Sequence, residues 1–184
     1  LDNTIDSVKE FMAFAAAVNA GKSYAGETVT LGADLDLAGV TWTPIGTSAS
    51  PFSGTFDGNG KVIENLSVLM AGKSNVGLFG FTTDGEIKNV TVENAKIAGR
   101  LDVGVVAGTP YTSKYTNITV KGHVEVDGMS GYLVRGKLSF KQYEGDAFGR
   151  GIGTEIVTVR MQDGSVKQVA ADQIKLLEQP QAAE

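Results

Sequence analysis

The sequence predicts an all-β chain whose centre is a β-solenoid, and a short repeated phrase is the main reason. The phrase is Ile63–Val68 (IENLSV), and it recurs at Ile87–Val92 (IKNVTV) and in part at Thr116–Val120 (TNITV). Two Val-Gly segments, Val76–Gly80 and Val103–Gly108, alternate with the copies of the phrase. Recurrence at a period of roughly 20–50 residues, in short apolar runs with glycines, is typical of solenoids, in which each coil buries its apolar face on its neighbours.

Composition limits the class of protein. The chain has 184 residues, enough for one elongated domain or a domain and a small module. Its net charge of −5 comes from residues 1–128, which carry 9 basic and 14 acidic residues, so no basic face for nucleic acid is expected. Cysteine is absent, which excludes disulfides, a thiol nucleophile and zinc-cysteine sites. No apolar run approaches the roughly 20 residues that cross a bilayer, so we expect no membrane insertion, and no signal-peptide pattern is visible.

Residues 6–20 are predicted to form the single helix of the solenoid. Ser7 suits the N-cap and Glu10 stands three positions later, the spacing of a capping box, while Gly21 suits the C-terminal stop. We expect the helix to cover the first end of the sheet rather than to bind a membrane surface, because its polar face is short and Lys9 is its only cation. Its predicted apolar face comprises Val8, Phe11, Met12, Ala15 and Val18.

Strands are predicted to follow the helix. Residues 28–31 and 34–37 alternate apolar and polar side chains, as half-buried strands do. Two short apolar runs then flank Asp57–Gly60 (DGNG), where Asp, Asn and Gly favour positive φ angles and tight reversals.

Several of these phrases resemble the GLUG-motif family. They are Trp42–Gly46 (WTPIG), Phe52–Gly60 (FSGTFDGNG), Ile63–Leu66 (IENL) and Val76–Gly80 (VGLFG), and the resemblance extends over residues 6–126. GLUG repeats occur in large bacterial surface and secreted proteins. The resemblance implies a short right-handed parallel β-helix with an N-terminal capping helix.

The pattern changes at about Tyr132. Strands are expected at residues 133–140, 155–160, 165–169 and 174–177, with a hairpin at Asp163–Gly164, a helical turn at 170–173 and a glycine-rich loop at 144–153. This order resembles a small SH3-like β-barrel. We therefore divide the chain into a β-helix with its capping helix (1–128), a small β-module (129–178) and a disordered tail (179–184).

The repeated asparagines allow two interpretations. Asn65, Asn89 and Asn117 would stack from coil to coil, and their amides would form an internal hydrogen-bonded ladder. Each also begins an Asn-x-Ser/Thr sequence, which is a glycan acceptor in secreted proteins. We favour the ladder because it explains the repeat with a single cause.

Catalytic and metal-binding patterns are weak. Asp34, Asp36, Asp57 and Asn59 could supply oxygen ligands to calcium, but an EF-hand would need a glutamate where Val68 stands, and turns need the same residue types. Glycoside hydrolysis needs two carboxylates in a groove, and no acidic residue recurs with a base beside it. His123, the only histidine, lacks a serine elbow, and the glycine-rich segment 149–153 lacks a following helix. We expect no catalytic residues, no metal site and no cofactor.

The binding candidates are Tyr111, Lys114 and Tyr115, which lie in and beside a polar loop that a rigid scaffold would present to sugar or protein. We expect a non-catalytic structural or adhesive module on an extracellular, cell or virion surface. Its expected partners are a protein assembly, which includes a homo-oligomer, or a surface glycan, with no nucleic acid. The alternative is a carbohydrate-binding module or a polysaccharide-active enzyme, which rests on analogy of fold.

Overall fold

The computed structural model describes residues 3–129 and six strands beyond them, with side chains described for residues 3–114, 116 and 117. Strand predominates, and α1 is the one α-helix of the described residues. The elements of residues 3–129 are β1 (Thr4–Ile5), α1 (Val8–Asn19), β2 (Thr28–Leu31), β3 (Leu35–Asp36), β4 (Thr55–Asp57), β5 (Val62–Leu69), β6 (Phe79–Thr83), β7 (Glu86–Leu101), β8 (Ala107–Tyr111) and β9 (Lys114–Met129). The later strands are β10 (Val134–Phe140), β11 (Tyr143–Gly149), β12 (Ile156–Met161), β13 (Val166–Ala170), β14 (Ile174–Leu176) and β15 (Gln181–Ala182).

Strands β1 to β9 pair only in parallel within the described part. Seven of them form one sheet in the order β1-β2-β4-β7-β5-β3, with β9 on β7, and β6 pairs with β8. Partners lie at a nearly constant separation along the chain: Asp36 pairs with Glu64, and Glu86 pairs with Lys114. The predicted all-β character, parallel pairing and single short helix are therefore present.

The long strand β7 bends because two asparagines in it adopt left-handed backbone conformations. Asn89 has φ 55° and Asn94 has φ 58°, values that asparagine tolerates better than most side chains. The segment before Asn89 pairs with β4, and the segment around and beyond Asn94 pairs with β5. Asn65 in β5 and Asn117 in β9 have the same conformation, with φ 58° and φ 54°.

The register corrects how the repeated phrase stacks. Ile63–Val68 pairs with Val92–Ile97 (VENAKI), and not with Ile87–Val92 as the recurrence of the phrase suggested. Strand β7 thus contains the phrase twice, sharing residue 92. The first copy stacks instead on β4 and β9, since Ile87 pairs with Phe56 and Tyr115. Asn65 and Asn89 therefore lie at two different corners, whereas Asn117 stacks directly on Asn89.

Stacked apolar columns form the core between the strands. One column contains Val29, Phe56 and Ile87, and all three side chains are buried. Each such side chain contributes about 1.5–3 kcal/mol by leaving water, which exceeds the roughly 1 kcal/mol of a surface hydrogen bond. Burial of the columns therefore dominates the stability of the stack. Other fully buried side chains are Leu31, Leu35, Leu37, Ile45, Phe52, Ile63, Leu66, Leu78 and Phe79.

Helix α1 begins at the predicted cap. The Ser7 hydroxyl accepts a hydrogen bond from the Glu10 amide at 3.1 Å, and Ala20 and Gly21 (φ 117°) end the helix. Phe11 and Phe14 pack their rings on aromatic residues of the first coils, so the helix covers the end of the core. The predicted apolar face differs from the structure at two positions: Met12, which it included, is 47% exposed, and Phe14, which it omitted, is buried.

The Asp57–Gly60 segment contains the predicted tight turn, in which the Lys61 amide donates to the Gly58 carbonyl at 2.8 Å, but the turn forms a corner and not a hairpin. Asn59 and Gly60 have the expected positive φ angles, 52° and 72°. However, β4 and β5 on either side of the segment do not pair with each other; they pair with other coils. Gly58 has to be glycine, because a β-carbon there would overlap the carbonyl oxygen of Asn89 on the next coil.

The C-terminal strands pair antiparallel. Their order is β13-β12-β11-β10-β14, with β15 on β10. Arg160 pairs with Val166, as the hairpin predicted at residues 163–164 requires. The predicted loop at 144–153 is wrong for β11, which pairs with β10 and β12. Gln181–Ala182, which we expected in a disordered tail, pair with β10. Residues 171–173 of the predicted helical turn lie outside the described residues, and the SH3-like barrel stays a prediction.

Candidate functional site

Tyr111 and Lys114 lie at an exposed corner between β8 and β9. Tyr111 is the last residue of β8, with 61% of its surface exposed, and Lys114 is the exposed first residue of β9. Parallel pairing with Thr83 and Glu86 holds the two backbones in place. The Tyr111 ring and the Lys114 ammonium group are thus both exposed at this corner, on backbone that parallel pairing holds in place.

The corner stacks on the corner of the coil before it. Thr112 (φ 50°) lies over Asp84 (φ 53°); its hydroxyl donates to the Asp84 carboxylate and accepts from the Asp84 amide at 3.1 Å. The Ser113 and Thr82 hydroxyls are 2.8 Å apart, and Thr82 is fully buried. These contacts make the corner a supported structure, although β-branched Thr112 has a backbone conformation that such residues rarely adopt.

Tyr115 does not belong to the same corner. Its backbone pairs with Ile87, at the register position of the column that contains Val29 and Phe56, while its side chain lies outside the described residues. Of the three predicted binding residues, the structure therefore groups two. Sequence reasoning missed Thr83, which pairs with Tyr111 on the same two-stranded sheet. Thr83 and Tyr111 are separated in the sequence by about the same interval as other paired strand positions, and this spacing could have identified Thr83.

Trp42 has a structural role. It is 2% exposed, and its indole nitrogen donates to the carbonyl of Leu78 at 3.0 Å. Its ring stacks on Phe11 with centroids 4.6 Å apart. Trp42 therefore joins the helix to the segment that contains Leu78.

The asparagines form two ladders rather than one. Asn117 donates its amide to Asn89 at 2.9 Å, and Asn89 donates to Asp57 at 3.1 Å. Asn65 belongs to a different column and donates to Asp36 at 2.9 Å. The predicted ladder is thus confirmed for Asn89 and Asn117 and wrong for Asn65. It is also not internal: Asn65 and Asn89 are half-buried, and Asn117 is exposed.

Both ladders have a direction and begin with aspartate. Every ladder side-chain amide donates to a residue nearer the N-terminus, and the first acceptor, Asp36 or Asp57, also accepts from a backbone amide, that of Ala38 or Asn59. The hydrogen bond from Asn65, followed by that from Ala38, lowers the pKa of the Asp36 carboxyl below its ordinary value. The side-chain nitrogens that a glycan would modify are the ladder donors.

The candidate calcium ligands serve corners. Asp34 accepts from the Val62 amide at 2.8 Å, and Asp36 and Asp57 accept the bonds given above. Among the described side chains, no group of three or more His, Cys, Asp or Glu residues is arranged to hold a metal ion. His123 lies in β9 opposite the register shift between Glu93 and Ala95, and its side chain is outside the described set. Gly149 ends β11, and the rest of the 149–153 segment is likewise outside it.

In the part of the chain that the structure describes, no helix is both long and apolar enough to span a membrane.

Comparison with known proteins shows similarity to a curated sequence and to a solved structure. An 84-residue segment is 45% identical to halomucin from Haloquadratum walsbyi; it covers 45% of this chain and 1% of halomucin. The solved structure of "a putative immunoglobulin A1 protease" from Bacteroides ovatus matches 67% of this chain and 38% of its own, with 24% identity and a TM-score of 0.49. No family model matches the chain.

Proposed function

We propose that the chain is a non-catalytic structural and adhesive module of an extracellular surface, built as a short right-handed β-helix of the GLUG type. The observation that carries the proposal is the 45% identity with a segment of halomucin. That relative is named as a mucin, a class of protein found outside cells. The matched segment is a small piece of a far longer chain, as expected for a module within a large surface protein.

The use of polar side chains supports a scaffold rather than an enzyme. Carboxylates that could pair for acid-base chemistry, such as Asp36 and Asp57, accept hydrogen bonds from backbone amides and ladder asparagines. A general acid or base must instead reach a substrate proton. These groups stabilise corners, and we infer that the coils exist to hold loops in place.

The contact surface of the module is the corner around Tyr111. An exposed tyrosine loses little conformational entropy on binding and offers both an apolar face and a hydroxyl. Thr83 beside it and Lys114 beyond it add a hydroxyl and a positive charge. This combination suits a protein or glycan on the opposing surface.

The C-terminal antiparallel sheet serves as the anchor. Strand β13 lies against β9, the last strand of the parallel sheet, so the module sits where the stack ends. An uncovered strand edge is a template for aggregation, and a covering module removes it. We propose that the same module joins the β-helix to its assembly.

Adhesion can be tested with Tyr111→Ala and the matched control Leu69→Ala, since Leu69 is also a strongly exposed apolar residue, at 59%. Binding of the chain to a glycan array and to immobilised cell-surface extract is measured for each variant. We expect Tyr111→Ala to weaken binding at least tenfold and Leu69→Ala to leave it unchanged.

Equal losses in both variants, or none, would contradict the assignment of the contact surface. Cleavage of a polysaccharide that disappears in Asp57→Ala or Asp36→Ala would instead make the chain an enzyme.

A further inference from the structure

A cleft of about 250 Å³ lies between α1 and the first two strands, whereas Tyr111 lies in β8, on the separate two-stranded sheet. Four strand spacings separate β1 from β9 in the order β1-β2-β4-β7-β9, or about 19 Å. We call this space the α1–β1 cleft. We propose that the α1–β1 cleft binds a single neutral monosaccharide unit of a glycan.

The floor of the cleft is apolar and belongs to the core. It is formed by Ile5, Phe14 and Val29, which are 4%, 5% and 2% exposed. These side chains are fixed by packing, so the floor exists before a ligand arrives. A preformed apolar floor suits the C–H face of a pyranose ring.

Tyr24 forms one wall, and its neighbours hold it. The residue has φ 59°, which is unusual for a bulky side chain, and its carbonyl accepts from the Glu27 amide at 2.9 Å. Its ring meets Phe14 edge-on at 5.1 Å, and the Lys22 ammonium lies 4.3 Å from the ring centroid. The Tyr24 ring is therefore held at the edge of the apolar floor.

Polar groups stand on the rim. The Asn3 amide donates to the Glu27 carboxylate at 3.2 Å, which orients its carbonyl oxygen. The Glu10 carboxylate accepts from the Ser7 hydroxyl at 3.3 Å and from the Asp6 amide at 3.5 Å. Each group keeps further lone pairs for hydroxyl donors. An amide, a carboxylate and a tyrosine around an apolar floor match the alternating C–H and O–H groups of a sugar.

The size of the cleft selects the ligand class. Sites for drug-sized ligands occupy roughly 300–1,000 Å³, so a cleft of about 250 Å³ accepts one small ring rather than an oligosaccharide buried along its length. This inference deepens the proposed function, on which it rests for its choice of glycan ligands. It adds a second contact, far from Tyr111.

The test titrates the full chain separately with glucose, galactose, mannose and N-acetylglucosamine and follows backbone-amide chemical shifts. We expect at least one sugar to give saturable shifts at Phe14 and Tyr24, with a dissociation constant on the order of 1 mM for so small a ligand. Ala13, an exposed residue of α1 that lines the cleft, is replaced by phenylalanine to fill it. Met12→Phe, on the same helix and outside the lining, is the matched control.

We expect Ala13→Phe to weaken sugar binding at least tenfold and Met12→Phe to leave it unchanged. If Ala13→Phe does not fold, Asn3→Ala removes a rim group from the folded chain and should weaken binding severalfold.

No saturable shifts with any of the four sugars, or binding that survives Ala13→Phe, would overturn the inference. If n-butylammonium saturates the cleft and the sugars do not, the cleft binds cationic side chains, and the inference is overturned as well. Adhesion that depends on Tyr111, together with no saturable sugar shifts at Phe14 and Tyr24, would leave the proposed function standing while the cleft fails.

Discussion

At the scale of single residues, asparagine in a left-handed conformation shapes this protein. Asn65, Asn89, Asn94 and Asn117 all have φ between 54° and 58°, and each lies within a strand. An ordinary L-residue loses about 1–2 kcal/mol in that conformation, and asparagine loses less because its short side chain bonds locally. Each such residue turns the strand, and Asn65, Asn89 and Asn117 also give their amides a partner on another coil.

Replacing Asn89 should separate the contribution of its backbone conformation from that of its side-chain hydrogen bonds. We expect Asn89→Ala to lower the free energy of unfolding by about 2 kcal/mol, because it loses two ladder bonds and strains the backbone. Asn89→Gly keeps the backbone conformation free of strain and should cost about 1 kcal/mol. Urea unfolding of the two variants measures the difference. Equal losses would mean that the corner conformation contributes nothing.

At the scale of elements, helix α1 depends on both its cap and its aromatic face. The cap bonds Ser7 to Glu10, and the face stacks Phe11 on Trp42 and packs Phe14 edge-on against Phe52. A helix of 12 residues is marginal in water by itself. Its packing over the end of the core therefore supplies most of its stability, and it in turn covers apolar rings that would face water.

Removing the cap should weaken helix α1 without unfolding the parallel sheet. We expect Ser7→Ala to lower the free energy of unfolding by about 1 kcal/mol, since the Glu10 amide loses its acceptor. Met12→Ala serves as the control on the same helix; because Met12 is 47% exposed, its change should stay within about 0.5 kcal/mol. Thermal unfolding followed by circular dichroism compares them. A larger effect from Met12→Ala would contradict the observed face of the helix.

At the scale of the whole molecule, parallel and antiparallel sheets share one chain. Residues 3–129 contain parallel pairs, and the described strands beyond them pair antiparallel. The outermost strands of a parallel sheet leave backbone groups unpaired at their edges, so each end needs a structure that covers it. Helix α1 covers the first end, and β13 lies against the last strand.

Deleting residues 132–184 should therefore expose the outer edge of β9. We expect the shortened chain to self-associate with rising concentration, because the edge of a long parallel strand then loses the cover that β13 gives it. Light scattering after size-exclusion chromatography measures the mass, with the full chain as the reference. A shortened chain that stays monomeric at all concentrations would show that the C-terminal sheet does not protect this edge.

The sequence predicted a large part of this structure from local patterns. The cap at Ser7, the alternating strands, the coil-to-coil recurrence of Asn89 at Asn117 and the positive φ angles at Asn59 and Gly60 follow from residue types and spacing alone. The exposure of Tyr111 was also predicted, since a polar loop on a scaffold lies at the surface.

Register and the sites formed by distant residues could not be predicted in this way. Two copies of the same phrase in β7 are equally good partners for Ile63–Val68 by pattern, and only the three-dimensional path through the corners at Asn89 and Asn94 selects the second. This register also places Asn65 in a different ladder from Asn89 and Asn117. It places Tyr115 away from the corner that contains Tyr111.

The sequence by itself determined that the chain forms short strands and corners preceded by a helix, because helix caps, turn residues and alternation act within a few residues of each other. The tertiary structure decided which strand positions meet, and it formed the α1–β1 cleft from Asn3, Glu10 and Tyr24. The physical reason is that hydrogen bonds between coils and burial of the apolar columns act between residues that lie far apart in the chain.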